Sequence, residues 1–127
     1  MTKPKPTAAE LAILNILWNR GSATVREIHG ECDRGAGYTG ILKLLQIMTD
    51  KGLVERDESE RAHVYSPALR REDTQGQMVN DLLDRVFGGS AAQLVLHALS
   101  DRKASPAEIK EIRKMLNRME ASMETKK

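Results

Sequence analysis

Residues 37–52, GYTGILKLLQIMTDKG, constrain the fold more tightly than any other stretch of this chain. Ile41, Leu44, Leu45 and Met48 recur at helical spacing and therefore share one face. Thr39, Gly40, Lys43 and Gln46 take the opposite face, which is short-sided, polar and weakly cationic. That face suits contact with a polar partner; the plain alternative is that it meets only water. Gly52 supplies a C-cap residue, and the helical period stops there. In LVERDESERAHVYSP, residues 53–67, Leu53 and Val54 begin a strand and residues 57–60 make a polar turn. Ala62, Val64 and Ser66 then alternate with Arg61, His63 and Tyr65, and Val64 and Tyr65 favour a strand. A helix followed at once by a β-hairpin leaves few arrangements for the segments before it.

Those segments read as two more short helices. Pro4 and Pro6 block early helix, so residues 1–6 are expected to form a flexible arm. Thr7 and Glu10 then make a capping box ahead of an apolar run, with Leu11, Leu14, Leu17 and Trp18 on one face and Gly21 as the stop. Thr24 and Glu27 form a second capping box that opens a helix through about Asp33, with Val25 and Ile28 buried. Gly35 and Gly37 turn the chain into the central helix. Three helices followed by a two-stranded wing is the winged helix-turn-helix arrangement, in which the third helix enters the major groove of DNA.

The remainder is expected to be helical, so the chain as a whole is mainly α: residues 1–69 a winged helix-turn-helix domain and residues 70–127 three helices. Val79, Leu82, Leu83, Val86 and Phe87 make an apolar stripe broken by Gly88 and Gly89. A short, very apolar helix follows from Ser90 to about Asp101, with Leu94, Val95, Leu96 and Leu99. Ser105, Pro106 and Glu108 combine a capping box with proline at the first helical position. Behind them Ile109, Ile112, Leu116, Met119 and Met123 repeat at alternating steps of three and four, the spacing of a coiled-coil seam. Three short apolar helices make a poor core alone. A second copy of the chain would cover the residual stripes of Leu82, Leu83, Val86, Leu94, Ile109, Ile112, Leu116 and Met119; a monomeric bundle docked on the first domain is the alternative.

Composition bounds the class. The 127 residues suffice for one ordinary domain or two small ones, and with 40% hydrophobic but only 3% aromatic residues the core must be built from Leu, Ile, Val and Met. The net charge of +2 is too small to argue for nucleic acid. Cutting the chain at residue 70 leaves ten basic and nine acidic side chains on each side, so any DNA-binding charge must be local. A single cysteine allows no internal disulfide, the N-terminal MTKPKPTAAE lacks a signal-peptide core, and no apolar run is long enough to span a membrane. These features lead to the expectation of a cytoplasmic protein.

Five stretches together resemble the BlaI/MecI-type penicillinase repressors: PTAAELAILNILW (6–18), ATVREIH (23–29), YTGILKLLQIMTDKGLVER (38–56), RAHVYSP (61–67) and LLDRVFGGSAAQLVLHAL (82–99). Their order and spacing cover the chain from Pro6 to about Asn117. The resemblance implies a sequence-specific, cytoplasmic homodimeric repressor acting on palindromic operators, with an N-terminal winged helix and a helical dimerisation domain. No cofactor and no metal are expected. Its regulon would be one of β-lactam resistance or another stress response. Thr39, Gly40 and Lys43 occupy the positions where family members contact DNA. Gly40 stands where threonine is usual; close approach of the backbone to DNA and simple tolerance both account for it. Ile47 stands where a basic residue is common. Ser22 and Thr24, with the amides opening the second helix, are candidates for a phosphate clamp. Arg61 and His63 on the wing are candidates for backbone or minor-groove contact. In the family's well-studied members a sensor-linked protease leads to cleavage between an asparagine and a phenylalanine, positions held here by His97 and Ala98. A missing ring weakens recognition after the cut by at least about 1–3 kcal/mol. The apolar neighbours suggest that this bond is packed and opens only locally. Release by another cut, or by a ligand favouring a different dimer geometry, is then expected.

Three rival classes fit less well. A metal-responsive repressor would use His29 and Cys32, at i and i+3, with Asp33 nearby, and the related copper-responsive branch carries a cysteine-rich C-terminal tail. Structural zinc, however, wants four ligands, and the C-terminal ASMETKK carries no cysteine. An enzyme would need a constellation, yet His29, His63 and His97 lie on separate elements, with neither a phosphate-binding glycine loop nor H-E-x-x-H present. A winged-helix protein-interaction module remains the third, and salt-dependent binding to a palindromic duplex would remove it.

Overall fold

Thr7 opens the first helix as its capping box requires: its hydroxyl accepts from the Glu10 amide at 3.2 Å, and its own amide donates to the Glu10 carboxylate at 2.8 Å. The computed structural model describes residues 5–32, 37–101 and 104–125. The elements are α1 (Ala8–Arg20), β1 (Ala23–Thr24), α2 (Val25–Glu31), α3 (Tyr38–Lys51), β2 (Val54–Asp57), β3 (Val64–Pro67), α4 (Arg71–Val86), α5 (Ala91–Asp101) and α6 (Pro106–Thr125). Two compact units result, Met1–Val79 and Asn80–Lys127, and the division falls inside α4.

The first unit is a winged helix. Ile13, Leu14 and Leu17 of α1, Ile28 of α2, and Ile41, Leu45 and Met48 of α3 are fully buried together with Leu53 and Tyr65. Leu11, Trp18 and Leu44, expected on the same faces, are half-buried. Gly21 and Gly52 end α1 and α3 at φ 88 and 82, a region that penalises any residue with a Cβ. The sheet differs from the expected hairpin. It has three antiparallel strands in the order β1-β3-β2, because Ala23 and Thr24 pair with Tyr65 and Val64. The second strand of the hairpin is also shorter than the alternation suggested, leaving Arg61, Ala62 and His63 in the preceding loop. Pro6 is buried, so it is not part of a free arm. The second capping box forms as read, but α2 stops at Glu31 with Cys32 as its C-cap. Asp33, Gly35 and Pro4 lie outside the described residues. The Trp18 indole donates to the Leu69 carbonyl at 2.9 Å and Arg71 bonds Asn19 at 2.6 Å, which fixes the start of α4 to α1.

One charged pair sits within this core. Glu10 is almost wholly buried, and its carboxylate meets the Lys51 ammonium at 2.7 Å. Burial opposes its ionisation, but the hydrogen bond from Lys51, those from Thr7 and the Lys51 charge together hold the carboxyl below its ordinary value of 4.5. A depressed folded-state value adds stability that is complete above the unfolded value and is lost as pH falls through the folded one. Stability is therefore expected to decline with acid below about pH 4.5. Lys51→Met should cost roughly 1–3 kcal/mol at neutral pH and flatten this part of the pH profile. Urea melts from pH 3 to 7 check both.

In the second unit Gly88 and Gly89 end α4 at φ 56 and 86, and the Gly89 amide returns to the Leu83 carbonyl at 2.9 Å. Ser90 and Ser105 cap α5 and α6 by accepting from the Gln93 and Glu108 amides. No described residue of this unit is fully buried. Leu82, Val86, Leu96, Leu116 and Met119 are exposed, while Leu83, Leu94, Ile109 and Ile112 are half-buried. Among the described residues no helix is long and apolar enough to cross a membrane.

Candidate nucleic-acid interface

α3 stands on its buried face and turns Thr39, Gly40, Lys43 and Gln46 outward, all exposed, with Ile47 beside them. Its start is open: Gly37 is the N-cap and offers no side chain to the first amides. The α3 start, the α2 start and the wing loop enclose an open groove of about 420 Å³. Thr24 and Arg26 lie on one wall, Tyr38 on another, and Arg61 and His63 on the third. Thr24, Arg61 and His63 are thus brought together with Tyr38 and Leu42 of α3, whereas Thr39, Gly40 and Lys43 do not line this groove. Ser22 is exposed but does not line this groove.

Charge pairing sorts the cations of this unit. Arg20 holds Glu27 and Glu31 at 2.6 and 2.5 Å, Lys51 holds Glu10 at 2.7 Å, and Arg56 holds Glu58 at 2.9 Å. These cations are largely neutralised and tie elements together. Arg26, Lys43 and Arg61 make no ion pair among the described residues. Three cations that keep their charge thus lie on α3 and around its groove. Arg26 and Tyr38 are not legible as site residues in the sequence, since the partners that neutralise the other arginines are set by tertiary structure.

The start of α2 is less available to an anion than its sequence suggests. The Thr24 amide already donates to Glu27 at 2.9 Å, and the Thr24 hydroxyl accepts from the Glu27 amide at 3.2 Å. The backbone bond from Thr24 and the nearby Arg20 charge hold the Glu27 carboxyl below its ordinary range, so it is ionised there. The Thr24 hydroxyl also hydrogen-bonds the Glu27 carboxylate. Of the candidate metal pair, the His29 ring packs edge-on against Tyr38 at 6.2 Å, and Cys32 is a half-buried free thiol. Among the described residues no three of His, Cys, Asp and Glu converge on one point.

In the second unit His97 and Ala98 are exposed, as are Val95 and Leu96. With both residues exposed, the expected packing of the 97–98 bond is not formed in the single chain. The His97 ring sits 5.6 Å from Phe87, across an open groove that these two share with Val86 and Gln93.

A family model described as penicillinase repressor matches residues 6–118. The chain belongs to the penicillinase repressor family. Its relatives include the Mycobacterium tuberculosis transcriptional regulator BlaI, 31% identical over 116 residues, covering 88% of this chain and 83% of the relative. The Staphylococcus aureus penicillinase repressor is 27% identical over 111 residues, covering 86% of this chain and 88% of the relative. In three dimensions the chain is similar to the solution structure of the DNA-binding domain of the repressor BlaI, with TM-score 0.51 and 23% identity over 57% of this chain and 90% of that one. That likeness shows the winged-helix fold. Penicillinase repressors are transcriptional repressors and not enzymes, and this member of the family is read accordingly.

Proposed function

We propose that this penicillinase repressor family member is a cytoplasmic homodimer that binds palindromic double-stranded operators sequence-specifically and blocks transcription. Residues 1–69 serve as the DNA-binding domain and residues 70–127 as the dimerisation domain. The observation that carries this reading is that Lys43 on α3 and Arg26 and Arg61 at the groove beside it make no ion pair among the described residues. α3 enters the major groove, where Lys43 reads a base edge, Thr39 donates its hydroxyl and Gly40 admits the backbone. Ser22 and Thr24 meet phosphates, and Arg61 and His63 hold the backbone from the wing. The dimer forms through Leu82, Leu83, Val86, Leu94, Ile109, Ile112, Leu116 and Met119, a set that a single chain leaves exposed or half-covered. It controls a β-lactam-resistance or other stress-response regulon. Repression ends through a sensor-linked protease cutting elsewhere than His97–Ala98, or through a ligand that favours a dimer unable to span the operator. At His97–Ala98 the obstacle is recognition, since Ala98 offers no bulky anchor.

Lys43→Ala tests the reading. It is expected to weaken operator binding by about 1–3 kcal/mol while leaving folding stability unchanged, because Lys43 is exposed and unpaired. Fluorescence anisotropy on the operator and urea melts measure the two quantities. Equal operator affinity in variant and wild type would remove Lys43 from the interface.

A further inference from the structure

We infer that the groove between α2, α3 and the wing seats the sugar-phosphate backbone of one DNA strand, with Arg26 as a phosphate-contacting residue facing Arg61 across it. The inference rests on the DNA-binding reading above and adds Arg26, within α2, to the phosphate contacts already proposed at Ser22, Thr24 and the wing. Three observations carry it. The groove walls hold two arginines and a histidine, while no carboxylate lines it. Arg26 and Arg61 make no ion pair among the described residues, although neighbouring Arg20 is bonded to two glutamates on α2 itself. Two uncompensated guanidinium groups bordering one trough repel each other unless an anion lies between them. The trough is open rather than enclosed, and Leu42 and Tyr65 line it beneath its charged rim. An open trough with an apolar base and cationic edges fits a continuous polyanion better than a small enclosed ligand. Tyr38 and Leu42 share it, and Thr39 and Lys43 each follow one position later on α3, so a strand lying in the trough runs beside the exposed face of the helix.

Phosphate contacts carry no sequence information, so the test does not need the operator. The full chain is titrated by anisotropy against a mixed-sequence duplex of about 30 base pairs over a salt series, a length chosen to exceed several helical turns of contact. Arg26→Ala is expected to reduce the slope of log affinity against log salt by about one unit, with a roughly fivefold to tenfold loss at 0.1 M salt. Arg26→Lys should restore most of the slope. Arg113→Ala, the same charge change on exposed α6, should leave it unaltered. Far-UV circular dichroism checks that each variant is folded. A wild-type slope in Arg26→Ala beside a weakened Lys43→Ala overturns this inference and leaves the DNA-binding reading standing. An equal loss in Arg113→Ala also overturns it, since net charge alone would then be responsible. Absence of salt-dependent duplex binding by the wild type overturns the reading itself.

Discussion

Leu116→Asp is expected to convert the protein to a monomer and to lower its affinity for a full palindromic operator by roughly 10²–10⁴-fold, the range lost when two linked binding events become separate. Leu116 lies midway along the α6 seam and is 54% exposed in the single chain, with Met119 at 62%. In the unit from residue 80 to 127 no described residue is fully buried, so little apolar burial there offsets the entropy of its own folding. Covering a leucine contributes about 1.5–3 kcal/mol when complete, and a carboxylate at the same place reverses that and adds several kcal/mol of desolvation. Two-fold symmetry presents the defect twice in one interface. Sedimentation velocity gives the oligomeric state, and anisotropy on full and half operators gives the affinities. A monomeric variant that binds the full palindrome as tightly as wild type would contradict the dimer.

The opposite face of the recognition helix gives the second large effect. Leu45 is fully buried beneath α3. Leu45→Ala should cost about 2–5 kcal/mol of folding stability, the range for deleting a buried leucine and leaving its cavity partly open. Thr39, Gly40 and Lys43 remain on the outer face, so the affinity of the folded fraction for DNA should change little. Lys43→Ala should do the reverse, and the two variants together separate scaffold from contact surface. Urea midpoints shifted equally by both would mean that Lys43 is structural.

Legibility in the sequence followed how local each signal was. The boxes at Thr7/Glu10 and Thr24/Glu27, and the stops at Gly21 and Gly52, are set by residues three or four apart, and all four formed as read. Strand β1 was not legible, because Ala23 and Thr24 are too few to show a period and Thr24 also serves as the cap of α2. The burial of Pro6 and the shortness of β3 likewise depend on tertiary contacts. The interface was half legible. Thr39, Gly40 and Lys43 stand out on the polar face of an amphipathic helix, whereas Arg26 reads like Arg20 until the fold pairs one and leaves the other bare. The Glu10–Lys51 pair is 41 residues apart, a separation that no local pattern encodes. The phosphate clamp at the start of α2 was overstated for a local reason: the same Glu27 that identifies the helix start occupies the Thr24 amide.

The central claim is that two copies of this chain read two symmetric half-sites. Mapping the genomic sites occupied by the protein in cells, and aligning their sequences, tests it most directly. The expected result is a motif with dyad symmetry whose half-site centres lie about 10 base pairs apart, or a multiple of that, matching successive major grooves some 34 Å apart on one side of the duplex. Occupied sites with no dyad symmetry, or no sites enriched above background, would contradict it.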